Sequence, residues 1–198
     1  MLDSIKALSS LAVFSGEVLT NPGPIGAAAP SSVALARRIA RSLPAARDGY
    51  VIELGAGTGA VTDELLKHGV APDRLLPVEL SPNMVRHLCK RFPGVRVLRG
   101  DASKLGELLR AELPARGFRV SHIVSSLPLR SLPLGVVARI VREVKRLLPP
   151  GGVFVQYTYD LGCRRFRPLE SFERMSSSVV WMNLPPARVD VFRLRARA

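Results

Sequence analysis

Cysteine is nearly missing: Cys89 and Cys163 are the only two in 198 residues. They form no C-x-x-C pair and no histidine stands where it would complete a metal site, so neither a disulfide framework nor a bound metal is expected, and a reduced cytoplasmic setting follows. The three histidines, His68, His87 and His122, are scattered and read as solvated or satisfied within the core. Long apolar runs are also missing, and no uncharged one reaches the roughly 18 residues a membrane span requires. The stretch LSSLAVFSGEVLTNPGPIGAAAPSS has an apolar part followed by small residues, but its serines, Gly16, Glu17 and Pro22 interrupt it and Asp3 spoils a basic start, so export is not expected. Acidic residues are scarce: 29 Lys+Arg against 16 Asp+Glu leave a formal charge of +13. That imbalance favours a polyanionic partner, either nucleic acid or an anionic membrane surface. There is no internal repeat and no low-complexity segment.

What is present suits one core: 198 residues with 47% hydrophobic content fit a single domain with appendages. Residues 2 to 20 have helical spacing, which gathers Asp3, Lys6, Ser10 and Glu17 into one stripe and sets Ile5, Leu8, Ala12 and Leu19 opposite. TNPGPIG stops that helix, since Pro22 and Pro24 cannot continue it. We therefore divide the chain into an amphipathic helix with its linker over 1–25 and a domain over 26–198. Ser31 or Ser32 caps the next expected helix, VALARRIARSL.

From residue 50 a regular alternation begins. Apolar YVIEL, a helix from about Ala60 to His68, RLLPVEL, a helix over PNMVRHLCKRF and VRVLRGDA are followed by a helix near 103 to 112, VSHIVSSL, the helix LGVVARIVREVKRLL and GVFVQYTY. Strands alternating with helices predict a parallel sheet wrapped on both faces. The ending SSVVWMNLPPARVDVFRLRA instead reads as two extended runs around a proline turn, an antiparallel hairpin. The expectation is an α/β fold with a mostly parallel, Rossmann-like seven-stranded sheet closed by a C-terminal antiparallel hairpin. That ending points away from flavodoxin-like and plain dinucleotide folds and towards the class I methyltransferase sheet.

VIELGAGTGAVTDELL places Glu53 at the first strand's end and Gly55, Gly57 and Gly59 in the turn that follows. Glycines let a ligand approach the backbone where a Cβ would collide. Alone the turn is ambiguous, because Gly55, Gly57 and Ala60 also satisfy a relaxed dinucleotide fingerprint. Glu79 closes the second strand, where a carboxylate can accept from both hydroxyls of a ribose, and Asp101 with Ala102 closes the third, near an adenine's amino edge. Glu53 puts negative charge where a pyrophosphate would sit, which disfavours a dinucleotide and suits a cofactor bearing an amine and a sulfonium.

This E-L-G-x-G-x-G, acidic strand end and G-D-A series resembles the class I S-adenosylmethionine-dependent methyltransferases over most of residues 50 to 195. The resemblance implies that Glu53 meets the methionine amine, that Gly55, Gly57 and Gly59 pack beneath the cofactor, and that Glu79 with Leu80 meets the ribose. Asp101 and Ala102 would meet the adenine, and Ser125 would line the same site.

Nucleic-acid N-methyltransferases end their fourth strand in N/D-P-P-Y/F or N-L-P-Y, whereas this chain has Ser125-Ser126-Leu127-Pro128 followed by Leu129. The stacking ring and the bidentate amide are both lost. GAAAPSS, SSLPLRSLP and VVWMNLPPARVDVFR, together with the amphipathic start, resemble the bacterial phosphatidylethanolamine/phospholipid N-methyltransferases nearly end to end. This implies methylation of the ethanolamine nitrogen of phosphatidylethanolamine towards phosphatidylcholine, by a protein peripheral to the inner face of the cytoplasmic membrane; a monomer is the favoured assembly, with the oligomeric state left open. Ser126, Tyr157 and Tyr159 are the candidate catalytic residues: the serine leaves room for a tetrahedral amine, and the rings offer π-surfaces to a methylated ammonium. Asp160 is a candidate proton acceptor or an exposed loop acid. Ile5, Leu8 and Leu19, with Arg164, Arg165 and Arg167 around Phe166, are the candidate lipid contacts. No nucleic-acid partner is expected, although an RNA or small-molecule N-methyltransferase stays open as the alternative, and so does a non-catalytic cofactor-binding adaptor.

Overall fold

The computed structural model describes residues 32–44, 49–113, 118–162 and 166–194. Helix α1, Val33–Arg41, starts where Ser32 Oγ accepts the Leu35 amide at 3.2 Å, and it buries Leu35, Ala36, Ile39 and Ala40. The alternation then gives β1 (Tyr50–Leu54), α2 (Ala60–Lys67), β2 (Leu75–Glu79), α3 (Pro82–Arg91), β3 (Leu98–Arg99) and α4 (Leu105–Glu112). After these come β4 (Val120–Ser125), α5 (Leu134–Leu147), β5 (Val153–Thr158), β6 (Phe172–Val180) and β7 (Ala187–Leu194).

The seven strands form one sheet in the order β3-β2-β1-β4-β5-β7-β6. β1 to β5 run parallel, while β7 enters antiparallel between β5 and β6. β1, β2 and β4 are buried on both faces, because helices cover both sides. One face packs Ile52, Leu54, Ile123 and Phe154 against α4 and α5. The other packs Val51, Val124 and Val155 against α1, α2 and α3.

Register decides what shares an edge. Leu54 lies beside Ser125, Ser125 beside Gln156, Thr158 beside Arg188, and Ala187 beside Val180. The ends of the parallel strands and the β6–β7 turn therefore lie on the same rim of the sheet. Two elements differ from expectation. The third strand is only two residues long, with Arg96 drawn away to Glu112 of α4 at 3.2 Å. The hairpin's first arm begins at Phe172, earlier than its sequence suggests, and carries a register irregularity between Arg174 and Ser176.

Candidate active site

The turn after β1 is built on three glycines with φ of +73° (Gly55), +53° (Gly57) and +81° (Gly59). In each, an L side chain would be strained. They differ in what surrounds them. A Cβ on Gly55 would stand 2.6 Å from Leu127 Cδ2, and one on Gly59 would stand 2.5 Å from Phe92 Cε2. A Cβ on Gly57 would meet nothing within 4 Å. Gly55 and Gly59 are thus needed for packing, and Gly57 alone leaves the backbone open to a ligand. Gly55→Val is expected to destabilise the fold by about 3 kcal/mol or more, from strain and overlap together. Gly57→Ala should cost only about 1–2 kcal/mol of stability while weakening ligand binding. Thermal melts beside ligand titrations separate the two effects.

Glu53 is fully buried at the end of β1. The Thr62 hydroxyl of α2 donates to its Oε2 at 2.6 Å, while its Oε1 has no partner. Burial pushes its carboxyl up to about 8; the Thr62 bond opposes that rise and the charge of nearby Glu79 adds to it. The folded chain therefore holds this proton more tightly than the unfolded chain, whose value is 4.5, and folding stability falls as pH climbs from about 4.5 to about 8. Glu53→Gln should remove that loss. Without ligand, the variant should melt with the wild type near pH 4 and several degrees above it at pH 8.5.

Glu79 closes β2 and straps the glycine turn: its Oε2 accepts the Gly57 amide at 2.9 Å and its Oε1 the Ser81 amide at 2.8 Å. Each oxygen keeps a lone pair for a further donor. Asp101 caps the short turn after β3 by accepting the Ser103 amide at 2.7 Å, and Ala102 beside it is buried. Leu80 packs at the edge of the core.

The ends of β4 and β5 hold the other candidates. Ser125 is fully buried and its Oγ accepts the Leu127 amide at 3.3 Å, whereas the buried Ser126 Oγ has no partner. Tyr157 and Tyr159 lie edge to face, with centroids 5.7 Å apart, on the face that carries α1. Asp160 is not the free loop acid that sequence allows: it pairs with Arg130 at 3.0 Å and accepts the Gly162 amide at 2.9 Å.

Gln156 went unnoticed in the sequence. It is buried, and its Nε2 is clamped by two carbonyls, Leu127 at 2.9 Å and Tyr157 at 2.6 Å, which leaves Oε1 without a donor. Among the described residues, Glu53 Oε1, Ser126 Oγ and Gln156 Oε1 are the buried side-chain atoms lacking a partner. Buried polar atoms are normally paired, so each of these is open to a donor from a ligand; Glu53 lies on the face of Val51 and Val124, and Gln156 on the opposite face with Phe154. A cavity of about 690 Å³ opens beside Gln156, lined also by Tyr157, Tyr159, Arg130 and the buried Arg188–Asp190 pair.

The lipid-contact candidates Ile5, Leu8, Leu19, Arg164 and Arg165 lie outside the described residues; Arg167 opens a 3-10 turn and is exposed. Among the described residues no helix is long and apolar enough to cross a membrane, and no cluster of acidic, cysteine or histidine side chains is arranged to hold a metal.

A family model described as a methyltransferase domain matches residues 51–152, the span from β1 to the end of the turn before β5. The chain belongs to the methyltransferase domain family. It is 34% identical over 185 residues to an ornithine lipid N-methyltransferase from Singulisphaera acidiphila, covering 88% of this chain and 91% of that one. It is 36% identical over 104 residues to a probable ribosomal RNA small subunit methyltransferase A from Halobacterium salinarum, a match covering 52% of this chain but 31% of the relative. Fibrillarin from Aeropyrum pernix, solved with natively bound S-adenosyl-L-methionine, superposes with a TM-score of 0.59 at 15% identity, covering 80% of this chain and 73% of that one. A TehB-like methyltransferase from Corynebacterium glutamicum gives 0.58 at 19% identity, with 81% and 87% covered.

The methyltransferase takes S-adenosylmethionine as its methyl donor. Its residues fit that group: Glu53 offers an unpaired buried carboxyl oxygen for an ammonium, Gly57 leaves its backbone uncovered, and Glu53, Glu79 and Asp101 stand at or just beyond the ends of β1, β2 and β3.

Proposed function

We propose that this methyltransferase acts on the primary amine of a membrane lipid, with phosphatidylethanolamine as acceptor, at the cytoplasmic membrane surface. The observation that carries this reading is the acceptor end of β4 and β5. Small Ser126, clamped Gln156 and two tyrosine rings stand where an aromatic and amide clamp would hold a planar base. Near end-to-end similarity to a lipid N-methyltransferase supports it, whereas the ribosomal RNA relatives match over only half of this chain.

Bound S-adenosylmethionine supplies an electrophilic methyl group carried on a sulfonium. The protein's share is to bind, orient and dry the amine. Ser126 Oγ and Gln156 Oε1 are neutral acceptors, so they take N–H bonds from the uncharged, nucleophilic amine without favouring the ammonium as a carboxylate would. Each of the first two transfers breaks the methyl–sulfur bond to form an ammonium that then gives up one proton to solvent and leaves one N–H fewer, and the dimethylated amine has none, so Gln156 matters most for the first transfer and least for the last. Tyr157 and Tyr159 then offer ring faces to the increasingly methylated cation, worth about 0.5 to 2 kcal/mol. Gln156→Leu should slow transfer to the unmethylated amine by about tenfold or more and transfer to the dimethylated lipid far less. Separate rates on the three acceptors read this out.

Ornithine lipid is the second reading, favoured by the Singulisphaera relative. Labelled S-adenosylmethionine supplied with vesicles of either lipid, or with ribosomal RNA, decides between acceptors. Label in phosphatidylethanolamine supports the proposal, label in ornithine lipid alone replaces the acceptor, and label in RNA alone overturns the lipid reading.

A further inference from the structure

Trp181, Met182 and Leu184, in the turn between β6 and β7, are 72%, 86% and 86% exposed. The other exposed large apolar side chains of the described residues, such as Val33, Leu134 and Met175, are scattered singly, whereas these three fall within four residues, and an exposed cluster of this kind marks an interaction surface. The turn that carries them is held in place. Asn183 is buried among them, its Nδ2 donates to the Pro185 carbonyl at 2.7 Å, and its Oδ1 accepts the Ser32 amide at 3.1 Å. The apolar residues are thus displayed on a fixed support.

Where the turn sits gives the exposure its meaning. Ala187 pairs with Val180, and Arg188 with Thr158 at the end of β5. The turn projects from the rim that carries Glu53, Ser126, Gln156 and the two tyrosines. Arg38, on α1, donates to Ser178 Oγ at 2.7 Å, just below the turn, and the chain as a whole carries +13. An indole, two flexible apolar side chains and flanking arginine suit the boundary between headgroups and acyl chains of an anionic bilayer.

We infer that the β6–β7 turn is a membrane-inserting element: Trp181, Met182 and Leu184 enter the bilayer interface and set the mouth of the active site against the surface that holds its acceptor. The choice of a membrane as occupant rests on the lipid acceptor proposed above.

Trp181 is the single tryptophan of the chain, so its fluorescence reports on the turn without labelling. The test uses the full chain with vesicles of phosphatidylethanolamine and phosphatidylglycerol, with and without brominated acyl chains, and measures methyl transfer in the same samples. The expected result is a blue shift on adding vesicles and quenching by the brominated chains. The double variant Met182→Ser/Leu184→Ser should lose vesicle affinity by about tenfold or more. Its cofactor affinity and its transfer to the same lipid dispersed in detergent should stay within about twofold of wild type, which shows an intact fold. The inference is overturned if the protein fails to bind vesicles or if bound protein shows neither shift nor quenching. A shift that depends on protein concentration without lipid also overturns it, because a second copy then covers the turn. Labelled lipid without quenching removes this inference alone, and quenching without labelled lipid removes the acceptor reading alone.

Discussion

Replacing Asp190 by alanine is expected to cost about 3–5 kcal/mol of folding stability, because it strands a buried positive charge. Asp190 is buried in β7 and takes three bonds from the equally buried Arg188, at 3.1, 3.1 and 3.0 Å, besides one from the Ser177 hydroxyl of β6 at 2.6 Å. Arg188 also donates to the Gly162 carbonyl, which ties the loop after β5 to the hairpin. Removal of the carboxylate leaves a guanidinium in the protein interior with its countercharge gone. For a chain of this size the melting temperature should fall by on the order of 10 °C. Replacing both partners by apolar residues should cost much less, because no uncompensated charge is then buried. Melting curves of the single and double variants check this.

Glu79→Ala should weaken S-adenosylmethionine binding by about 100-fold or more. Two hydrogen bonds from a ribose to a carboxylate are worth about 1.5–3 kcal/mol each, so their joint loss exceeds two powers of ten. The same substitution releases the Gly57 and Ser81 amides, which Glu79 holds at 2.9 and 2.8 Å, and loosens the turn beneath the cofactor. Glu79→Gln keeps one acceptor oxygen and should fall between wild type and alanine. Equilibrium dialysis with labelled cofactor measures all three, and melting curves show that the weakened variants stay folded.

Much of this architecture is legible from the residues because local and global signals agree. Ser32 followed by arginines on one side and Val33, Ala36, Ile39 and Ala40 on the other specifies a capped helix, and the structure starts α1 at Val33, although it buries Leu35 with Ala36, Ile39 and Ala40 and leaves Val33 exposed in the first turn. Acids recurring at strand ends mark the rim of the sheet. What stays hidden depends on neighbours distant in sequence. Gly55, Gly57 and Gly59 look equivalent in a string of letters, yet Leu127 and Phe92 make two of them packing positions and leave one open. Gln156 reads as an ordinary polar residue in a strand until the carbonyls of Leu127 and Tyr157 clamp its amide and strand its oxygen. Asp160 looks free until Arg130, thirty positions earlier, reaches it. The apolar letters of WMNLPP do not reveal on which side of a hairpin they fall, and only the register with β5 brings the turn to the active rim.

The most direct test of lipid methylation follows a labelled methyl group from S-adenosylmethionine into phosphatidylethanolamine vesicles, using wild type and Glu79→Ala side by side with cofactor binding. Labelled mono-, di- or trimethylated lipid from the wild type, and cofactor binding about 100-fold or more weaker with correspondingly less label at subsaturating cofactor from a folded Glu79→Ala, is the predicted result. A wild type that binds the cofactor and labels no lipid, or a Glu79→Ala that labels lipid at the wild-type rate, would contradict it.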